Sequence, residues 1–290
     1  MSLHHLNPPD QNIWYFAYGS NLSSSIFTGT RKIIPLATKS VSIPGWTLVF
    51  DIGGLPYIEP AYASIQPILG PSNEKRDVEK GAPMTVEGVA YLVTPAQLRS
   101  IMASEGGLYA YRRVVLRALP LHPVDGDAAE LAVVTLVTGE GRTPAGVPSR
   151  RYMVCLYFLF LYYFLYIYIR LEIPVEMNPQ LISKQDLIKT GSGEQHLSPP
   201  YQTYLSTLPS YHSPTRDQSP WQWLGAQLFL LFWLPLYKLL QWMLETTGNK
   251  NPEGHAPEGL CALVLTINAV MWFWHDRVHS RVWGRGDGLI

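Results

Sequence analysis

Charge of either sign is in no excess in this 290-residue chain: 22 Lys and Arg stand against 22 Asp and Glu, so nothing in the net charge steers it toward nucleic acid. No basic stripe with interleaved aromatics occurs, and nucleic acid is left off the list of expected partners. Cysteine is nearly missing. Only Cys155 and Cys261 are present, both inside apolar runs, which excludes a disulfide framework and a thiolate metal site and points to a reducing compartment. The segment Met1–Gln11 lacks the charged-then-apolar pattern of a secretory signal, and residues 1–12 read as a flexible N-terminus.

What is there changes sharply along the chain. From Ile13 to Tyr152 short apolar runs alternate with Gly, Pro and both charges, as expected of an α+β domain. Val154–Ile169 then holds no charge and no turn residue. A polar Ser/Pro/Tyr-rich stretch, 195–220, precedes two further apolar runs near Trp221–Leu244 and Leu260–Trp274.

Within the first regime, Ile13–Ala17 predicts a strand that ends in Tyr18-Gly19-Ser20-Asn21, where Gly and Asn allow a tight strand-to-helix turn. Such a turn aims several N–H groups one way, which suits a carboxylate or phosphate. Leu22 and the serines after it are expected to open a helix. Further strands are expected at Trp46–Phe50, Ala61–Gln66, Val86–Val93, Tyr109–Leu119 and Leu131–Val137. Thr94 followed by Pro95 marks the start of a short helix that delivers Ser104-Glu105-Gly106-Gly107. Glu105 is then placed between a helix and a Gly-Gly bend, beside aromatic-rich strands that would desolvate it, as a general base requires. Read singly, the turn is an ordinary turn and the glutamate an ordinary solvated one.

Jointly, and in this order, Phe16–Leu22, Val86-Glu87-Gly88-Val89-Ala90-Tyr91, Ser104-Glu105-Gly106 and Pro148-Ser149-Arg150-Arg151-Tyr152 resemble the γ-glutamylcyclotransferase family. The segment Asp51–Tyr57 with Glu59–Ile65 resembles its fungal branch associated with secondary metabolism of the gliotoxin type. The resemblance implies a small closed mixed β-barrel with few helices, in which Tyr18, Gly19, Ser20, Asn21 and Leu22 hold a small-molecule γ-glutamyl substrate. It implies Glu105 as the catalytic residue and Tyr152 as a substrate-contacting tyrosine. The implied reaction closes 5-oxoproline by attack of the α-amine on the side-chain carbonyl and requires no metal and no organic cofactor. Two alternatives share every residue named: a general γ-glutamylamine or γ-glutamyl amino acid cyclotransferase, and a non-catalytic binding module on the same fold.

The family pattern resumes at Asp186–Lys189 and Tyr201–Leu205, so the catalytic domain is expected over 13–153 and 186–212, interrupted by 154–185. That insertion starts with Val, whose codons begin GT, and ends at Gln185, compatible with CAG; it reads as a translated intron. A membrane span is the competing reading, although the apolar run is at or below the usual minimum of about 17 residues. Residues 213–290 are expected to form a tail with two hydrophobic helices, membrane-associated as a hairpin or re-entrant pair, with tryptophans at the run edges. Arg277, Arg281 and Arg285 favour a cytosolic C-terminus and a catalytic domain on the same side. The rival reading makes these runs core helices of a second soluble domain. His275 and His279, four apart, would share a helix face as a metal site needs, but a third ligand is missing and an interfacial polar cluster is preferred.

Overall fold

Strands form where apolar residues alternate, and the computed structural model closes five of them into a barrel in the order β1-β5-β2-β6-β7. It describes residues 11–68, 83–105, 111–123, 129–139, 146–149, 192–251 and 254–289. The barrel strands are β1 (Ile13–Ala17), β2 (Ala37–Pro44), β5 (Thr85–Val93), β6 (Tyr111–Pro120) and β7 (Leu131–Thr138). Neighbours run antiparallel except β1 and β7, whose parallel pairing at Tyr15 and Val134 closes the cylinder and makes the sheet mixed. At Gly88 a Cβ would lie 2.3 Å from the Ala17 carbonyl oxygen, so only glycine lets β5 pass the end of β1 this closely.

The remaining strands, β3 (Trp46–Leu55) and β4 (Glu59–Pro67), form a separate hairpin that packs Leu48, Phe50, Ala63 and Ile65 into the barrel's hydrophobic core. Thr138 at the end of β7 ties it down, donating its N–H to Ser64 Oγ at 2.9 Å and its hydroxyl to Asp51 at 2.8 Å. Helix α1 (Pro95–Ser104) begins as its sequence predicts: Thr94 Oγ1 accepts from the Gln97 N–H, Gln97 returns the bond to the Thr94 N–H, and Pro95 occupies the first turn. Leu98, Ile101 and Met102, three and four apart, bury its inner face. Helix α2 (Pro199–Thr207) is held by Glu87 of β5, whose carboxylate accepts from the Ser198 N–H at 2.8 Å and the Ser198 hydroxyl at 2.6 Å. Tyr201 and Leu205 complete the core from that side. The insertion expected at 154–185 lies outside the described residues.

The C-terminal part comprises α3 (Pro220–Lys250), α4 (Glu258–Trp274), one wide helical turn at His275–His279 and a last short helix, α5 (Ser280–Trp283). Two segments here, Pro220–Gly248 and Glu258–Trp283, are long and apolar enough to cross a membrane, with mean hydropathy 1.4 and 1.2. Both helices also pack on the β3–β4 hairpin, whose turn residue Tyr57 is the anchor. Its backbone is left-handed at φ 68°, its side chain is buried, and each polar group is engaged. The N–H donates to Gly286 O at 2.8 Å, the carbonyl accepts from Ser213 Oγ at 2.6 Å, and the hydroxyl donates to Gly284 O at 2.6 Å with His279 Nδ1 at 2.9 Å.

Candidate active site

Leucine 22 must reach the core and β1 must end, and the chain between them solves both with one turn. Tyr18 reaches across the barrel and donates its hydroxyl to the Leu136 carbonyl of β7, which pins the loop's start. A three-residue helical turn at Ser20–Leu22 follows, closed by Leu22 N–H on Gly19 O at 2.9 Å and Ser23 N–H on Ser20 O at 3.2 Å. Those two bonds leave the N–H groups of Ser20 and Asn21 outside the turn's own hydrogen bonding. A second, wider turn spans Ser25–Thr30, so the helix expected after Leu22 is two short turns. Leu22 is fully buried, and the rotation that buries it points Asn21 inward as well.

Asn21 Nδ2 donates to Tyr15 Oη and to Glu105 Oε1, each at 3.1 Å, while its backbone carbonyl accepts from the Tyr91 hydroxyl at 3.1 Å. Glu105 arrives from the other direction, as the residue that caps the C-terminal end of α1, with its N–H still bonded to Ile101 O at 3.0 Å. The expected neighbourhood of Glu105 was apolar, but the structure adds an ion pair. Arg31 donates one guanidinium nitrogen to Glu105 Oε1 and another to Ser104 Oγ. The two side chains are 16% and 20% exposed, so the pair is mostly shielded from solvent. Among the described residues nothing donates to Glu105 Oε2. Two polar atoms in this cluster, Asn21 Oδ1 and Arg31 Nε, are buried without a hydrogen-bond partner. One accepts and the other donates, and orphaned buried pairs of this kind call for an explanation.

Tyr15, Phe27 and Tyr91 form the apolar wall behind the carboxylate, with the Phe27 and Tyr91 rings stacked at 3.9 Å. Burial pushes the Tyr15 phenol well up, and the Glu105 charge adds to it; burial does the same to Tyr91, aided by Tyr15 and Glu194. Both therefore stay protonated and serve as hydrogen-bond partners, not as bases.

Of the residues expected from sequence, Asn21 and Glu105 meet directly, and Gly19 and Ser20 lie half-buried on the same loop. Tyr18 and Leu22 turn into the barrel, where they fix the loop's shape. Tyr152 lies outside the described residues. Arg31 was not anticipated, and no local signal marks it: its partner is 74 residues away. Tyr15 and Tyr91 lie in strands that the sequence predicts, but both strands are buried on successive residues there, so no alternation singles these two out.

Away from this cluster, His275, Asp276 and Asp287 bring ligand atoms within 4.8 Å of one another, a group that leaves out the His279 of the His275/His279 spacing. Their atoms are engaged by protein, however. His275 Nδ1 contacts Asp276 at 2.9 Å and its Nε2 accepts from the Gly286 N–H at 3.0 Å, while Arg285 Nε donates to Asp287 at 2.9 Å. Burial alone would push the Asp287 carboxyl up; the bonds and charge of Arg285 outweigh it and hold the group below its ordinary value. This network fastens the last residues of the chain to Tyr57 and, through Asp287 O, to the Val147 N–H at 3.3 Å.

Comparison with known proteins gives consistent matches. The family model described as the AclK C-terminal domain matches residues 219–282. Gamma-glutamyl cyclotransferase aclK of Aspergillus oryzae is 37% identical over 287 residues, covering 97% of this chain and 92% of that protein. Gamma-glutamyl cyclotransferase gliK of Aspergillus fumigatus is 35% identical over 295 residues, covering 98% and 92%. A solved structure described as gamma-glutamyl cyclotransferase superposes with a TM-score of 0.45 at 15% identity, covering 71% of this chain and 93% of that one.

Proposed function

The chain belongs to the γ-glutamyl cyclotransferase family, and from that premise we propose that Glu105 is its acid/base and that it releases 5-oxoproline from a γ-glutamyl amide. The α-amine of the γ-glutamyl group attacks the group's own side-chain carbonyl. A new C–N bond closes the five-membered ring as the bond to the attached amine breaks. Glu105 Oε2 takes a proton from the α-ammonium and returns one to the leaving amine, so one carboxylate serves both half-steps. Asn21 and Arg31 keep Oε1 occupied, which fixes the carboxylate's orientation and reserves Oε2 for the proton. The Ser20 and Asn21 N–H groups fix the substrate's α-carboxylate or the developing oxyanion, and holding amine against carbonyl replaces a floppy cyclisation by a positioned one. Tyr18, Gly19 and Leu22 shape this cradle, and Tyr152 is a further substrate contact.

The observation that carries this reading is the meeting of Glu105 with the Tyr18–Leu22 loop: Asn21 and Arg31 hold Oε1, and among the described residues nothing donates to Oε2. On the same reading the catalytic domain comprises 13–153 and 186–212, residues 154–185 interrupt it, and 213–290 form a tail that associates with a membrane while the catalytic domain faces the cytosol. The substrate is a glutathione-derived intermediate of fungal secondary metabolism. Incubation with glutathione, a γ-glutamyl amino acid and a bis-glutathionylated diketopiperazine, followed by chromatography for 5-oxoproline, tests it. Highest kcat/KM on the diketopiperazine is expected. Best turnover of a simple γ-glutamyl amine would favour the general cyclotransferase instead, and no 5-oxoproline from any of them would end the proposal.

A further inference from the structure

The helices of the C-terminal part are apolar on two opposite faces, and only one of these is packed inside the molecule, apart from Trp221 of the other, which stacks on Trp283 at 4.1 Å and donates to Val282 O at 2.9 Å. On α3 the inner face carries Ala226, Phe229, Trp233, Leu240 and Leu244, all buried. Turned away from it stand Trp221, Leu224, Leu228 and Leu231, at spacings of three and four, and beyond Pro235 Leu239 and Trp242, three apart, with Leu231 74% and Trp242 63% exposed. Helix α4 repeats the pattern: Val264, Met271 and Trp272 are inside, whereas Val270, Phe273 and Trp274 are exposed. Contiguous apolar surface of this kind marks an interaction site.

We infer that this outward face rests on an anionic lipid surface, with α3 and α4 lying in the membrane plane instead of crossing it. Three contacts hold α3 along the catalytic domain. Phe229 packs edge-on against Tyr57 at 5.4 Å, Tyr237 Oη lies 3.2 Å from Tyr62 Oη, and Gly248 abuts Ala103 at the end of α1. From Phe229 to Gly248 the helix covers about 28 Å at its usual rise, close to the roughly 30 Å thickness of a hydrocarbon core. A spanning α3 would either pull the β-hairpin and α1 into hydrocarbon or abandon all three contacts. Helix α4 is tied at its centre as well: Asn268 Nδ2 and Trp272 Nε1 donate to the Gly53 and Gly54 carbonyls, both at 3.1 Å. Those carbonyls would be orphaned if α4 left the hairpin.

Lipid fits the face better than a protein because of where its tryptophans and charges fall. Trp221 and Trp242 stand at the two ends of the α3 stripe, the position that interfacial aromatics favour. No acidic residue occurs within 220–244 or 259–275. The exposed charges beside the stripes at one end are three basic groups against one acidic, Asp217: Arg277 lies over the Phe273 ring at 5.9 Å, Arg216 over the Trp223 ring at 5.9 Å, and Arg281 is exposed. Asp276 nearby is paired with Arg285, and Glu245 and Glu258 lie at the opposite end of the two helices. Amphipathic elements with an apolar face and basic flanks lie in the interface and bind more strongly to anionic lipid.

The inference rests on the proposed membrane association but not on the proposed chemistry. The test uses the full chain with vesicles of phosphatidylcholine alone and with one-third phosphatidylserine, followed by sedimentation and carbonate extraction. Binding should be at least tenfold stronger to the anionic vesicles, weaken with salt, and be reversed by carbonate. The exposed triple variant Leu228→Gln/Leu231→Gln/Trp242→Gln should lose at least tenfold in vesicle binding and keep its turnover of a soluble γ-glutamyl substrate. Arg277→Gln/Arg281→Gln should abolish the preference for phosphatidylserine. Carbonate-resistant insertion would overturn the in-plane arrangement while leaving membrane association standing. Absence of vesicle binding, or a triple variant that only dissociates a dimer, would overturn both and leave the cyclotransferase chemistry untouched.

Discussion

Replacing Arg31 by Met isolates the one interaction at the site that has no counterpart in the sequence motifs. The guanidinium bridges Glu105 Oε1 and Ser104 Oγ, and with side chains only 16% and 20% exposed the bridge is weakly screened. A hydrogen bond to a charged group contributes about 1.5–3 kcal/mol. Met keeps the length and the apolar stem but leaves Oε1 to Asn21 alone, so the carboxylate loses one of its two tethers. If that tether serves alignment in the transition state, kcat falls roughly 10- to 150-fold, at about 1.4 kcal/mol per tenfold. Arg31→Lys should recover only part of this, because one ammonium cannot serve Glu105 and Ser104 in the fixed fork of a guanidinium. Steady-state release of 5-oxoproline well below the melting temperature, with a parallel thermal melt, reads both effects. A kcat within twofold of the parent, or a loss that vanishes on cooling, would refute the alignment role.

Two further outcomes concern the junction between the hairpin and the tail. Tyr57→Phe removes the hydroxyl that meets Gly284 O and His279 Nδ1 in a buried site, at a cost of about 1–3 kcal/mol. At roughly 2–4 °C per kcal/mol for a domain of this size, calorimetry should show Tm lower by about 2–12 °C, and an unchanged Tm would contradict the anchoring role. Asp287, held below its ordinary value by Arg285, contributes stability that is complete above the unfolded Asp range near pH 4 and is lost as pH falls through the lower folded value. The stability difference between the parent and Asp287→Asn should therefore be flat from about pH 5 to pH 8 and shrink only below about pH 4; a difference that disappears near pH 6 would show that the pair with Arg285 is not its source.

How far the sequence spoke depended on whether a feature is local. The Thr94-Pro95-Gln97 cap announces α1 because all its partners lie within one turn, and strands β5 and β7 declare themselves by runs of β-branched residues. Strand β2 was not evident: only Val41 and Ile43 are buried, with Ser42 between them and the polar Thr38, Lys39 and Ser40 ahead of them. The β3–β4 strands were legible, but their separation from the barrel is a matter of tertiary pairing that no window of sequence contains. At the site, the meeting of Asn21 with Glu105 was expected from the order of motifs, whereas Arg31 became visible only when the wide turn at Ser25–Thr30 set it against the end of α1. In the tail, hydropathy identified both helices but not the division of each into an inner and an outer apolar face.

The proton-transfer role assigned to Glu105 is tested most directly by Glu105→Gln, which keeps the side chain's shape and a carbonyl acceptor for Asn21 and Arg31 but cannot take a proton. Turnover and calorimetric affinity for the same γ-glutamyl substrate should separate, with kcat reduced by about 10²–10⁴-fold and binding within a few-fold of the parent. A variant that still released 5-oxoproline at close to the parent rate would contradict the assignment outright.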